Sequence, residues 1–134
     1  MEDTILTSLI VYLRPKTGTY HFKFACDIYD DKFVLTKKRE TLFDSNAGMQ
    51  FTIPFAAIEK IEDTNYLYIK GLQFFINDPE VEYPSSPSKV AGGLVGALIT
   101  LKRKGLFILY FNKNKEIPIF LDILKKAGVS YEGK

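Results

Sequence analysis

One histidine, one cysteine and several clusters of like charge are the residues in this chain with chemistry to offer. His21 and Cys26 are the only candidates for a thiol–imidazole pair, which needs both side chains within hydrogen-bond reach. They sit five apart in a segment, Tyr20–Tyr29, that alternates with period two. Tyr20, Phe22, Phe24, Cys26 and Ile28 share one face, and His21, Lys23, Ala25, Asp27 and Tyr29 share the other. Opposite faces of one strand keep the pair apart, so the expectation is a solvent-facing histidine and a packed cysteine. Asp27, Asp30 and Asp31 lack the glycine and distal glutamate of a calcium loop and read as a solvated turn, as do Glu59, Glu62 and Asp63. Gly92, Gly93 and Gly96 are not followed by the Lys-Ser/Thr of a phosphate-binding loop. A single cysteine permits no intramolecular disulfide and no cysteine-built metal site. No catalytic set, metal site or cofactor site is expected.

The basic clusters are of more interest. Arg14 and Lys16 fall in one turn, Lys37, Lys38 and Arg39 in a second, and Lys102, Arg103 and Lys104 in a third; Lys113 and Lys115 precede a helix. Turns sharing one end of the molecule would make a positive rim. Near an anionic membrane each Lys or Arg contributes about 1 kcal/mol. The competing reading is that charged tips serve solubility and guard strand edges.

The elements that must carry these residues are mostly strands. The 134 residues suit one domain with one sizeable core. The apolar fraction of 46% and charged fraction of 25% are those of a globular chain, and its many Phe and Tyr favour sheets. Ile5–Leu13 reads as the first strand and Arg14–Gly18 as a turn. Lys32–Thr36 and Glu40–Phe43 would pair across the basic tip at residues 37–39. Ser45–Gly48 reads as a loop, Gln50–Ile53 as a strand stopped by Pro54, and Phe55–Glu62 as a short strand or turn. Tyr66–Lys70 and Leu72–Ile76 are strand-like, with Gly71 marking a kink or bulge. Asn77–Ser88, with three prolines, reads as a long surface loop. Lys102–Gly105 would be a hairpin turn into the strand Leu106–Phe111. Ile117, Phe120, Leu121, Leu124 and Ala127 recur at helical spacing, with Pro118 in the first turn, lysines in the last and Gly128 at the C-cap. The expected fold is mainly β, a two-sheet barrel or sandwich with one C-terminal capping helix.

The run Val90–Leu101 has three readings. It is a helix or loop leading into a buried strand at Leu98–Leu101, an oligomer contact through Gly92, Gly93, Leu94, Val95 and Gly96, or a loop that dips into a membrane. As a helix it would span about 18 Å, too short to cross a hydrocarbon core of about 30 Å. The N-terminus lacks the basic region of a signal peptide, and with the lone thiol this points to a cytoplasmic protein, peripheral at a membrane if its basic loops bind there. Nucleic acid is not the expected partner, because the chain is only weakly basic and its aromatic residues fall on the core face.

The segment F-V-L-T-K-K-R-E-T-L-F, followed by F-T-I-P-F-A-A-I-E-K-I, resembles the central hairpin and following strand of pleckstrin-homology-like domains, with the GRAM and bacterial PH-like groups nearest. Leu35-Thr36, Arg39, Ile53-Pro54, Ile58 and Ile61 match that pattern. Leu106–Phe111 and Ile117–Ala127 fall where the family places its last strand and its helix. The resemblance covers Lys32 to Gly128, with an insertion near residues 77–97 that the family pattern does not account for. It implies a barrel that binds phospholipid headgroups, peptides or partner proteins, not an enzyme. Arg14, Lys16 and Lys23 are a thin echo of the basic loop between the first two strands that serves phosphoinositide binders. A different reading of the aromatic-rich inner face is a barrel with an internal cavity for an apolar small molecule.

Overall fold

The computed structural model describes residues 4–15, 21–40, 42, 46–89, 96–102 and 104–133, with backbone alone considered at 85–89 and 96–102. The strands are β1 (Thr7–Pro15), β2 (Phe22–Ile28), β3 (Lys32–Lys37), β4 (Gln50–Pro54), β5 (Ile58–Tyr66), β6 (Ile69–Ile76), β7 (Glu82–Lys89), β8 (Gly96–Lys102), β9 (Gly105–Phe111) and β10 (Tyr131–Glu132), with helix α1 (Glu116–Lys126) between the last two. Eight of them form one sheet in the order β10-β5-β6-β9-β1-β2-β3-β4, and β7 and β8 form a separate ribbon.

Alternation sets the inner face. Leu9, Val11 and Leu13 of β1, Phe22, Phe24, Cys26 and Ile28 of β2, and Phe33 and Leu35 of β3 are all buried, as period two requires. A 3₁₀ turn at Phe55–Ala57 joins β4 to β5, although these strands lie far apart in the sheet order. Three residues span at most about 11 Å, so the sheet must curl until its two ends approach. Within the curl, Phe33 packs on Phe74 and Phe120, each with ring centres 5.5 Å apart, and Phe74 stacks on Phe107 at 5.2 Å. The helix closes this core with Phe120, Leu121 and Leu124. It ends at Gly128, whose φ of +90° suits glycine; the Gly128 N–H donates to the Lys125 carbonyl and the Val129 N–H to that of Leu124. Val129 then folds back onto the core, and the chain adds β10 parallel to β5, where the Tyr131 hydroxyl donates to Asp63 Oδ1 at 2.6 Å. Burial and then that bond push the Tyr131 phenol up to about 12.

The mainly β fold with one C-terminal helix is thus present, and five local expectations are corrected. β3 pairs with Gln50–Pro54, not with Glu40–Phe43, whose described members Glu40 and Leu42 lie in no strand. Lys37 therefore closes β3, and Lys38 and Arg39 begin a long connection rather than forming a tight tip. Tyr66–Lys70 is not one strand but a hairpin: Tyr66 pairs with Ile69 across Leu67 and Tyr68. Gly71 stays in regular register, and the irregularity falls at Ile58/Lys60. The expected loop 77–88 contains β7, which pairs with β8; each strand of a two-stranded ribbon is an edge, where prolines such as Pro84 and Pro87 are tolerated. Lys102–Gly105 is consequently no hairpin turn, since β8 pairs with β7 while β9 enters the large sheet between β6 and β1.

Candidate functional site

Pairing registers place the ends of the strands. Pro15, closing β1, lies opposite Phe107 near the start of β9, and Leu13 lies opposite Phe22 at the start of β2. Lys37, closing β3, lies opposite Phe24, and the Lys38 N–H donates to the Lys23 carbonyl at 2.9 Å. The connections that follow β1 and β3 and the one that precedes β9 therefore leave the sheet at the same end. Lys38 and Arg39 lie in the second of these connections and Lys104 in the third, while Arg14, Lys37 and Lys102 belong to β1, β3 and β8.

The clusters are not equivalent once folded. Lys37 points inward and is only 2% exposed; its Nζ donates to Glu40 Oε2 at 2.8 Å and to the Lys38 carbonyl at 2.6 Å, and lies over the Phe22 ring. It is spent on structure. Lys38 and Arg39 are exposed, and Arg39 Nη1 donates to the carbonyl of Leu42, itself 80% exposed. Lys104 is exposed. Lys102 is placed by its backbone alone, opposite Glu82. Lys16, Arg103, Gly92, Gly93, Leu94 and Val95 lie outside the described residues, and Gly96 opens β8 opposite Lys89.

Arg14 leaves the rim altogether. Its guanidinium carbon lies 5.4 Å from the ring centre of Tyr66 and 5.8 Å from that of Tyr110, on the outer face of the sheet. His21 joins this cluster, edge-on to Tyr66 at 4.9 Å and to Tyr110 at 5.0 Å. The expected solvent-facing histidine is instead half-buried among rings. Burial, and then the charge of Arg14, hold its pKa below the ordinary 6.5, so it is neutral at pH 7. Burial raises the Tyr110 phenol, with Arg14 partly offsetting the rise. Arg14 Nε and Tyr110 Oη are buried without a hydrogen-bond partner.

Tyr66 belongs to β5, four strands from β2 in the sheet order, yet its ring touches His21. The far end of the β5–β6 hairpin must fold across the outer face. It leaves a groove of about 410 Å³ bounded by Tyr12, His21, Tyr68, Ile69, Asn112 and Asn114. At the apex Leu67 is 80% and Tyr68 100% exposed, and Leu67 has φ +55°. Sequence reasoning passed over this region because the apex carries none of the usual turn residues. A usable signal was the near-continuous apolar run Leu106–Phe111, since such a run marks a strand covered on both faces.

Cys26 is fully buried on the inner face, where burial raises its thiol pKa strongly, and the sheet separates it from His21. Among the described residues no group of His, Cys, Asp and Glu has the arrangement to hold a metal ion, and no helix is long and apolar enough to cross a membrane. The chain matches no protein-family model and no curated protein.

Proposed function

We propose that this chain is a non-catalytic binding module of the pleckstrin-homology-like type, nearest to GRAM domains, that docks on an anionic membrane surface through its basic end. The observation that carries the reading is the register that sends the connections bearing Lys38, Arg39 and Lys104 out of the same end of the sheet. Exposed Leu42 beside Arg39 adds an apolar contact of the kind an interface accepts. The fold resemblance gains support from the topology: without the β7–β8 ribbon and the short β10, the chain is a seven-strand sheet whose last strand pairs with its first, followed by a helix. The non-catalytic reading is supported by the separation of His21 from Cys26 across the sheet. An internal small-molecule cavity finds no support in an interior filled by Phe33, Phe74, Phe107 and Phe120.

The test is the triple variant Lys38→Glu, Arg39→Glu, Lys104→Glu. At about 1 kcal/mol per basic residue, removal alone predicts a loss on the order of a hundredfold in affinity for phosphatidylserine-containing vesicles, and reversal more. A fully folded triple variant that binds such vesicles as tightly as the parent would defeat the proposal.

A further inference from the structure

The basic end does not account for a second group of exposed apolar residues. Leu67, Tyr68 and Ile69 are consecutive at the apex of the β5–β6 hairpin, 80%, 100% and 48% exposed. A two-residue turn with positive φ at its first position is normally the place of glycine. Leucine there, at φ +55°, strains the backbone while setting an apolar side chain at the outermost point.

The surroundings are basic. Tyr68 and Ile69 share a groove with Asn112 and Asn114, and Lys70 shares the neighbouring cavity with Asn114 and Pro118. Lys113 and Lys115 flank Asn114 in the chain. Lys70, Lys113 and Lys115 are exposed, and none has an ion-pair partner among the described residues. Asp63, which lines the same cavity as Lys70, accepts from the Tyr131 hydroxyl, and Glu116 accepts from the Lys113 backbone N–H. The apolar apex thus has three exposed lysines, and these two hydrogen-bonded acids, in the segments beside it.

We infer that the Leu67–Tyr68–Ile69 apex inserts into the interfacial layer of an anionic bilayer while Lys70, Lys113 and Lys115 meet the surrounding headgroups. A bilayer presents an apolar interior beneath a sheet of phosphates, and this part of the surface presents an apolar projection with exposed lysines in the adjoining segments. Tyrosine, with an apolar ring and a polar tip, suits the boundary, and lysine stems can reach outward to the phosphates. A peptide ligand would be better served by apolar residues on a groove floor, whereas Leu67 and Tyr68 project from the surface. The inference shares its partner class with the membrane reading above but rests on different residues and a different force. By register the apex leaves the sheet at the end opposite Lys38, Arg39 and Lys104, because Gly71 pairs with Tyr110 and Ile76 with Gly105, so it meets a bilayer in a second orientation, through salt-resistant burial where the basic end supplies salt-sensitive attraction.

The chain contains no tryptophan, so Tyr68→Trp in the full chain gives one emitter at a fully exposed position. The expected result is a blue shift on adding phosphatidylserine/phosphatidylcholine vesicles and quenching by lipids brominated on their acyl chains. Thr52→Trp, exposed in the middle of the edge strand β4, should show neither. A second variant, Leu67→Gly, separates binding from folding. It should keep or raise thermal stability, because glycine accepts positive φ, while weakening vesicle partition at high salt roughly tenfold. Vesicles that sediment the Tyr68→Trp variant without shifting its emission would overturn insertion and leave docking at the basic end intact. Failure of every variant and of the parent to sediment would overturn both readings. A vesicle-free, concentration-dependent blue shift abolished by Leu67→Gly would overturn the inference in favour of a second copy of the chain.

Discussion

Lys37, Lys38 and Arg39 are adjacent in sequence and look alike as a basic run, but the end of β3 sorts them. Lys37 obeys the alternation of its strand and turns inward, so its charge is met by Glu40 and the Lys38 carbonyl; Lys38 and Arg39 lie beyond the strand and face solvent. Lys37→Met should therefore lower stability by about 1 kcal/mol, since Glu40 is partly solvated, and change vesicle affinity little. Denaturant titration and sedimentation of the same variant separate the two effects; a loss of affinity equal to that of Lys38→Met would contradict this sorting. His21 offers a second residue-scale prediction. Its folded pKa is depressed, so the folded state binds fewer protons than the unfolded state just below pH 6.5. Its contribution to stability is complete above that value and is lost as pH falls through the folded pKa. As the only histidine, its imidazole resonances need no assignment by mutation. An NMR titration should give a midpoint below 6.5, and a midpoint above it would show that the Tyr66–Tyr110–Arg14 cluster does not form. Sequence alone separated Cys26 from His21 by alternation, but it could not supply the long-range partner Tyr66 that half-buries the histidine.

Among the elements, those governed by local rules were legible and those governed by distant pairing were not. The inner faces of β1 and β2, the helix and its Gly128 terminus follow from periodicity and capping, which act within a few residues. The β5–β6 turn was hidden because Leu67 and Tyr68 are poor turn formers, and β7 because its prolines suggested a loop. Gly71 shows why a glycine read as a bulge can have another use. A Cβ there would lie 2.7 Å from Tyr110 Cδ1 and 2.8 Å from the Leu109 carbonyl oxygen. The ring of Tyr110 lies across the glycine, and the obstructing carbonyl belongs to the paired strand β9. Gly71→Ala should destabilise the protein by about 1–3 kcal/mol, as overpacking does. Thermal unfolding checks this, and an unchanged midpoint would mean that β6 and β9 can move apart at this point.

At the scale of the whole molecule, the curled sheet gathers what the sequence scatters. Lys38, Arg39 and Lys104 reach the same end because β3 terminates there and β9 begins there, beside the close of β1, and this order could not be read from local pattern. A mainly β fold with one C-terminal helix was legible as a class, while the division into an eight-stranded sheet and a separate ribbon was not, since it depends on β9 choosing β6 and β1 over β8. The two surfaces proposed to meet a membrane, at opposite ends of the sheet, differ in salt dependence, because screening shortens the reach of exposed charges from about 10 Å at 0.1 M to about 3 Å at 1 M. The most direct measurement is co-sedimentation of the intact chain with phosphatidylcholine vesicles, with and without phosphatidylserine, at about 0.1 M and about 1 M salt. Binding should require phosphatidylserine at low salt and be reduced but not abolished at high salt. Equal recovery with neutral and anionic vesicles, or no binding to either at low salt, would contradict it.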